Sequence, residues 1–218
     1  DQSSTLPISN NMYIYPSFSG SFVFSELLKL GDKLPYGKVR MSWAQVGSDT
    51  DPYQLGLVYT KSKFAYPGYT IGYISNGTIP NKDLKPTKTN SFEMGLELKF
   101  LKNRIGLDFT YYSQLSKNQI MGMASSSTSG YGYRLINAGE IENKGVEIAL
   151  NTRPIQTKDF SWDLNFNFSK NSNKVKKLVD DMDMFELEKA TWLDVQVAAK
   201  VGENFGSIVG PDFQRNEN

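Results

Sequence analysis

The chain has 218 residues, of which 24 are basic and 23 acidic, so its formal net charge is +1. It contains neither cysteine nor histidine, which excludes disulfides, thiolate metal sites and catalysis through either side chain. The near balance of charge argues against a broad electrostatic surface for nucleic acid. A mean hydropathy of −0.43 and the absence of a long apolar run exclude membrane-spanning helices, but not a membrane barrel built from alternating strands.

Six segments of the chain follow one rule, the strict alternation of apolar and polar residues. In chain order they are SFSGSFVFS (17–25), KVRMSWAQV (38–46), SFEMGLELKF (91–100), RIGLDFTYYS (104–113), GVEIALNTR (145–153) and SWDLNFNFS (161–169). Successive side chains of a strand point to opposite faces. Each segment is therefore predicted to be an extended strand with one apolar and one polar face, with Val23 the exception in the first.

The residues on the two predicted faces leave two architectures open. The apolar face includes Phe92, Leu96, Phe109, Ile148 and Phe166. The polar face comprises Arg40, Glu93, Glu97, Lys99, Asp108, Glu147, Arg153, Asn165 and Asn167, with several serines. A soluble β-sandwich would place these polar residues in bulk water, whereas a membrane barrel would place them in a polar lumen. Periodicity alone does not separate the two.

The lengths of the segments and of their connections favour the barrel. A strand of about ten residues, rising ~3.3 Å per residue and tilted by ~45°, covers roughly 23 Å, close to the apolar band of such barrels. The links at 101–104 and 154–160 are short, whereas the link from about 116 to 143 and the charged stretch after Asn171 are long. Short turns on one rim and long loops on the other are typical of outer-membrane barrels. Aromatic residues near the segment ends suit interfacial girdles: Tyr13, Tyr15, Tyr111, Tyr112 and Trp162.

Two stretches are less regular. Residues 53–75 predict either two further strands around a turn at Pro67-Gly68 or a partly ordered external loop. Residues 174–202 contain the only segment with the pattern of a helix. The chain begins and ends without a cap or a closing strand, and we expect it to be a piece of a longer protein.

Several local motifs resemble the SusC/RagA family of TonB-dependent outer-membrane transporters. They are YPSFSGSFVFSE (15–26), VRMSWAQVGSD (39–49), LKPTKTNSFEMGLELKFLKNRIGLDFTYYSQLSKNQI (84–120), INAGEIENKGVEIALNTRPI (136–155) and VGENFGSIVGPDFQR (201–215). The fourth is the strongest, since it matches the family's Asn-Ala-Gly-x-x-x-Asn-x-Gly-x-Glu signature. The second departs from the family pattern, because it has Val46 and Ser48 in the region where the family has Thr and Asn.

The resemblance implies an all-β fold, an antiparallel transmembrane β-barrel of about 22 strands with a plugged lumen. Residues 1–218 would then be part of the C-terminal barrel domain with its external loops, while the plug domain and the final strands lie outside them. The implied function is TonB-dependent import of an oligosaccharide or peptide across the outer membrane of a Gram-negative bacterium. The implied partners are a SusD-like lipoprotein on the external loops, the TonB complex through the plug, and outer-membrane lipid. Nucleic acid is not an expected partner.

Four aromatic residues of the presumed external loops are candidate contacts for a ligand or for a lid protein: Tyr131, Tyr133, Trp192 and Phe205. Their faces could stack on sugar rings. The alternative is that they pack the loops against one another. We expect no catalytic residue, no cofactor and no metal.

Two further clusters have plainer interpretations. The glycines of the signature, Gly139 and Gly145, are expected to permit a strand entry or a bulge, and Asn143 to cap local backbone groups. The acidic group Asp180, Asp181, Asp183, Glu186 and Glu188 lacks the spacing and the central glycine of a calcium loop, so a solvated external loop is expected. Two rival functions stay open at this point: a soluble β-sandwich that binds carbohydrate or acts as an adhesin, and a passive outer-membrane barrel.

Overall fold

The structure is a computed structural model, and it describes residues 2–52, 54–57, 59–63, 67–74, 77–179, 182–190 and 194–212. Most of these residues lie in strands. The strands are β1 (Ser17–Val23), β2 (Tyr36–Ser48), β3 (Tyr59–Lys61), β4 (Gly72–Ile74), β5 (Thr78–Ile79), β6 (Thr87–Phe100), β7 (Ile105–Lys117), β8 (Ile120–Ala124), β9 (Tyr133–Asn137), β10 (Glu140–Gln156), β11 (Ser161–Lys177), β12 (Met184–Lys189), β13 (Gln196–Lys200) and β14 (Ser207–Val209). A single turn of α-helix, α1 (Phe24–Leu27), follows β1. None of the helices in these ranges is long and apolar enough to cross a membrane.

Six strands form one antiparallel sheet in the order β1-β2-β6-β7-β10-β11. Each of these strands coincides with one of the six alternating segments, so the predicted strands are confirmed. The order in the sheet follows the order in the chain, as in an up-and-down meander. This sequential antiparallel order is the one expected for part of the wall of a barrel.

Five of the six strands are longer than the nine to ten residues of the alternating segments, whereas β1 is shorter, because Phe24 and Ser25 at the end of its predicted segment lie in α1. β6 and β7 contain 14 and 13 residues, and β10 and β11 contain 17 each. The extra residues of β10 and β11 lie mainly at one end, where the sequence loses its alternation and becomes rich in lysine and asparagine. The ladder continues there because its hydrogen bonds join backbone groups, which do not depend on an apolar face.

The two rims of the sheet differ as predicted. Four-residue turns, 101–104 and 157–160, join β6 to β7 and β10 to β11. In the first turn Leu101, Lys102 and Asn103 all have positive φ angles, of 49°, 57° and 66°. In the second, the Thr157 hydroxyl donates a hydrogen bond to the carbonyl oxygen of Phe160 at 3.0 Å. At the opposite rim, residues 49–86 connect β2 to β6 and residues 118–139 connect β7 to β10.

The long connections carry strands of their own. β3 and β4 pair around the turn at Pro67-Gly68, where Gly68 has a φ of 86°, so the predicted two strands are confirmed. β8 and β9 form a hairpin inside the connection after β7. This hairpin pairs further with β5 through β9.

The helix predicted within 174–202 is wrong for the described residues of that stretch. They form the end of β11 and then β12 and β13. β12 and β13 pair with each other, and β13 also pairs with β14. Phe185 and Leu187 alternate with Glu186 and Glu188, which is the period of a strand. The apolar side of this small sheet is buried, and that packing outweighs local helix propensity.

A buried apolar cluster lies at the long-loop rim. It contains Val175, Leu178, Phe185 and Ala199, and Met121, Met123, Met182 and Leu187 pack against it. It therefore joins the upper end of β11 to two different loops. The apolar face of the six-stranded sheet is different: Phe92, Leu96, Phe109 and Ile148 are only partly buried, and Phe166 is 61% exposed. The described residues place no second sheet over this face, as a sandwich would.

Candidate functional site

The register of the six-stranded sheet sorts its side chains into two continuous faces. Leu96 of β6 pairs with Val39 and Phe109, and Phe109 pairs in turn with Ile148, which pairs with Phe168. Other rows on this apolar face are Phe18, Trp43 and Phe92, then Met41, Met94, Tyr111 and Val146, and then Leu98, Leu107, Leu150 and Phe166. The charged residues predicted for the polar face occupy the intervening positions. One face is thus apolar across all six strands.

An arginine crosses a neighbouring strand on the polar face. Arg40 of β2 reaches over β6 to β7, where its Nη1 and Nη2 donate to Oδ2 and Oδ1 of Asp108 at 2.9 Å each. Nη2 also donates to Oγ1 of Thr110 at 2.6 Å. Gly95 is the residue of β6 that lies beneath, and a β-carbon there would lie 2.6 Å from Cζ of Arg40. The missing side chain of Gly95 therefore makes room for this ion pair.

A tyrosine crosses β10 in the same way. The Tyr112 ring of β7 lies over Gly145, where a β-carbon would overlap its Oη and Cζ atoms. Its hydroxyl donates to Oδ1 of Asn171 on β11 at 3.3 Å. Gly145 was predicted to permit a strand entry or a bulge, but it lies in regular pairing, and the register of β10 with β11 shifts elsewhere. The entry to β10 is at Gly139, which has a φ of 75°.

Two asparagines of the signature also receive definite places. Asn143 pairs with Gln114 and Asn173 inside the sheet, so the prediction that it caps backbone groups is wrong. The Asn137 amide donates to the carbonyl oxygens of Lys85 and Asn118 at 2.6 and 3.1 Å, and its Oδ1 accepts from the Lys85 amide at 2.8 Å. Asn137 therefore holds two long connections together at the rim.

Further ion pairs follow the polar face towards the short-turn rim. Lys38 lies 2.8 Å from Glu97, and Arg153 Nε lies 2.5 Å from Asp163 Oδ1. A depression of about 350 Å³ is lined by Arg40, Asp108, Thr110, Glu147 and Asn167, among others. The polar face of the six-stranded sheet is therefore a surface of charged side chains, most of which are in ion pairs.

The four candidate aromatic residues do not form one cluster that the structure describes. Tyr131 and Tyr133 lie together at the start of β9, and Tyr133 is 56% exposed. Phe205 is 37% exposed and lies in the turn before β14, where its amide donates to Oδ1 of Asn173 at 3.4 Å. Trp192 lies outside the described residues. All three described residues belong to the long-loop rim, and none lies on the six-stranded sheet.

The acidic group of the loops is only partly described, since Asp180 and Asp181 lie outside the described residues. Glu186 and Glu188 are on β12, and Asp183 precedes it. Within the ranges that the structure covers, no three acidic side chains are placed to hold a metal ion.

The segment before β1 closes over the same rim. The Ser3 hydroxyl donates to the Asp49 carboxylate and lowers the pKa of Asp49 below its usual range, with Thr5 contributing a smaller effect in the same direction. Tyr13 and Tyr15 stack with ring centroids 5.7 Å apart, and Tyr15 lies over Gly47 of β2. A cavity of about 620 Å³ lies between this segment and the ends of β2 and β6.

Sequence reasoning missed the two crossings over Gly95 and Gly145. The available signal was the position of each glycine in the alternation of its strand. Both glycines fall on the polar face, where a missing side chain leaves room for a long side chain from a neighbouring strand. Periodicity identifies the strands but not which pair, so it could not have named Arg40 with Asp108, or Tyr112 with Asn171.

Comparison with known proteins agrees with this geometry. Residues 4–197 match the family model described as TonB dependent receptor-like, beta-barrel. The chain is 29% identical over 225 residues to TonB-dependent receptor P3 of Formosa agariphila, covering 98% of this chain and 22% of that protein. It is 30% identical over 195 residues to TonB-dependent receptor SusC of Bacteroides thetaiotaomicron, covering 85% of this chain and 19% of that protein.

A solved structure entitled Structure of the RagAB peptide transporter superposes on 93% of this chain and 22% of its own, with a TM-score of 0.81 and 22% sequence identity. This likeness shows a shared fold, part of a larger β-barrel. The chain spans about a fifth of the length of the relatives it matches. Together these matches confirm the predicted resemblance: the chain belongs to the TonB-dependent receptor β-barrel family, among proteins of the SusC and RagA type.

Proposed function

We propose that the full-length protein imports a nutrient, an oligosaccharide or a peptide, across the outer membrane of a Gram-negative bacterium, driven through TonB. The observation that carries this proposal is a six-stranded meander with one face apolar throughout and the other lined by charged and amide side chains. Such a sheet suits the wall of a conduit, with lipid outside and water inside. The named relatives support transport and receptor roles rather than catalysis.

Residues 1–218 would supply wall and external loops in this proposal. The coupling element, a plug that contacts TonB, would lie elsewhere in the full-length protein. The polar face with its crossing Arg40 and Tyr112 would then line the lumen and offer a stiff, hydrated surface to the plug. The ligand would meet the chain chiefly at the long-loop rim.

A SusD-like lipoprotein is the partner proposed for that rim. A second solved structure with the same fold carries the name RagAB peptide importer, and SusC is a relative of this chain. Tyr131, Tyr133, Trp192 and Phe205 are the proposed contacts with the lipoprotein or the ligand. The exposure of Tyr133 supports this role, because a ring that only packed loops together would be buried.

Deletion of the full-length gene in the source bacterium tests the proposal. Uptake of labelled oligosaccharides and of labelled peptides is measured separately, with and without an uncoupler of the proton gradient. We expect one of the two classes to lose energy-dependent uptake. Unchanged uptake of both classes would contradict the import function. Loss of an uptake that does not respond to the uncoupler would contradict active import and would favour a passive barrel.

The soluble sandwich receives no support from the sheet. Its binding or adhesin role would require the apolar face to be covered by a second sheet, and no such sheet is found within the described ranges. Heat-modifiable migration of the full-length protein in detergent gives an independent check, since folded barrels resist unfolding by detergent at room temperature.

A further inference from the structure

The apolar face of the six-stranded sheet ends in lysines at the long-loop rim. Directly beyond Val146 on β10 lies Lys144, and directly beyond Phe168 on β11 lies Lys170, each on the same face as the apolar residue before it. Farther along, Lys174 pairs with Glu142, and Lys88, Lys117 and Lys177 fall in the row of Glu140. We call this set the basic band: Lys88, Lys117, Lys144, Lys170, Lys174, Lys176 and Lys177.

The basic band carries an excess of positive charge. Its seven lysines share the face with two glutamates, Glu140 and Glu142, which leaves a net charge of +5. Glu140 lies 3.3 Å from Lys117, while Glu142 lies 3.0 Å from Lys144 and 3.9 Å from Lys176. The remaining lysines contribute charge that these two carboxylates do not neutralise, and Lys170 and Lys174 are exposed.

The band faces outward rather than into the loops. On β11 the neighbouring residue Val175 points the other way and is fully buried in the loop cluster. Alternation along the strand therefore places Lys174 on the outer side. Lys176 is the extra residue at the register shift between the pairs of Glu140 and Ile141, and its contact with Glu142 brings it to the same side.

The opposite end of the same face is different. There the outward positions are Phe100, Ile105 and Trp162, and Ile155 pairs with Trp162. Lys102 and Lys158 of that rim lie in the two tight turns instead, and Lys29 lies in the connection from β1 to β2. Among the described residues, only the long-loop end of the sheet has a row of lysines in line with the apolar face.

We propose that the basic band binds the phosphate groups of lipid in the outer leaflet. The inference rests on the proposed membrane position of the sheet, because headgroup phosphates lie just beyond the acyl chains that the apolar face would contact. Ammonium groups bind phosphate as point charges, and several near a membrane surface act together. Continuity between the apolar band and the lysines favours a lipid headgroup over free phosphate, since one molecule can satisfy both.

The test uses the full-length protein purified in detergent and titrated with lipid A bearing two phosphates, with bound lipid counted by native mass spectrometry. The variant combines Lys144→Gln, Lys170→Gln and Lys174→Gln. We expect its affinity for this lipid to fall at least about tenfold, since each lysine near a surface contributes a severalfold effect. A matched control, Lys29→Gln with Lys102→Gln and Lys158→Gln, removes the same charge from the short-turn rim and should leave binding unchanged.

Three further arms make the result decisive. Dephosphorylated lipid A should bind wild type and variant equally, and the variant with three arginines in place of Lys144, Lys170 and Lys174 should bind like wild type. Inorganic phosphate at equal concentration should not displace the lipid. Equal binding by wild type and the glutamine variant, or full displacement by inorganic phosphate, overturns the proposal.

Heat-modifiable migration and nutrient uptake are measured on the same variants. If the wild-type protein shows neither heat-modifiable migration nor nutrient uptake, the proposed transport function is contradicted. If the glutamine variant takes up nutrient and binds lipid A like the wild-type protein, only the proposed lipid site is contradicted.

Discussion

Glycines on the polar face decide which long side chains can cross between strands. Gly95 lies beneath Arg40 and Gly145 beneath Tyr112, and each crossing joins strands that are not neighbours in the sheet. A wall that holds its strands by backbone ladders gains side-chain ties in addition. Packing beneath the Tyr112 ring therefore explains the glycine of the family signature at position 145.

Replacement of Gly145 by alanine should destabilise the barrel. The new β-carbon would overlap the Tyr112 ring and would lie 2.7 Å from the Lys170 carbonyl oxygen, and overpacking of this kind costs about 1–3 kcal/mol. The control is Gly20→Ala in β1, where nothing lies within 4 Å of the added atom. Urea-dependent unfolding of the full-length protein in lipid vesicles measures both, and equal midpoints for the two variants would contradict the packing role.

The crossing of Arg40 over Gly95 predicts non-additive effects. Arg40→Ser and Asp108→Asn should each reduce the free energy of unfolding, and the double variant should lose less than their sum. We expect a coupling of about 1 kcal/mol, because the pair is bidentate but remains partly exposed to water. The same cycle with Arg40→Ser and Gly95→Ala should also be non-additive, since removal of the guanidinium clears the space. Additive losses in both cycles would show that the contact carries no stability.

At the scale of the strand, alternation decides the face of every residue. The six alternating segments predicted the six strands of the sheet and the tight turns between them, because period and turn length are local properties. Strand ends were not predictable in the same way, since β10 and β11 continue through residues with no apolar face. The error at 174–202 has a related cause: Phe185 of β12 is buried in one cluster with Val175 of β11 and Ala199 of β13, and the pattern of its own segment does not contain that packing.

The same added charge should have very different effects on stability at two neighbouring residues of β11. Phe166→Arg places a guanidinium near the middle of the apolar face, and such a substitution in a membrane barrel costs about 2–4 kcal/mol at the bilayer midplane. Asn167→Arg places it on the polar face and should change stability by less than about 0.5 kcal/mol. Folding free energies in lipid vesicles compare the two, and a larger loss for Asn167→Arg would reverse the assignment of the faces.

A contact role for the loop aromatics predicts a change in partner binding without a change in folding. Tyr131→Ala combined with Tyr133→Ala should weaken capture of the proposed lipoprotein or ligand roughly three- to tenfold, since each aromatic ring offers stacking area. Phe160→Ala, an exposed ring at the short-turn rim, is the matched control. If the double variant binds like the wild-type protein, the tyrosines only pack their own loop.

At the scale of the whole molecule, the sequence was sufficient for the fold class and the family but not for the sites. Alternation is strong over six segments, and the signature at 136–155 identifies the relatives. The side-chain crossings, the loop cluster and the basic band depend on register between strands, which the pattern of one segment does not contain. Once the register between strands is known, the alternation along each strand assigns the lysines of the basic band to the apolar face.

The orientation of the sheet in the membrane is best measured by site-directed spin labelling of the full-length protein in lipid bilayers. Residues 1–218 contain no cysteine, so each cysteine introduced along β7 and β11 provides a unique label in this part of the protein. We expect collisions with oxygen to peak at Leu107, Phe109, Leu164, Phe166 and Phe168, and collisions with a water-soluble nickel chelate to peak at Asp108, Asn165 and Asn167. Low accessibility to both reagents at the first set, as in a dry interior between two sheets, would contradict a lipid-facing wall.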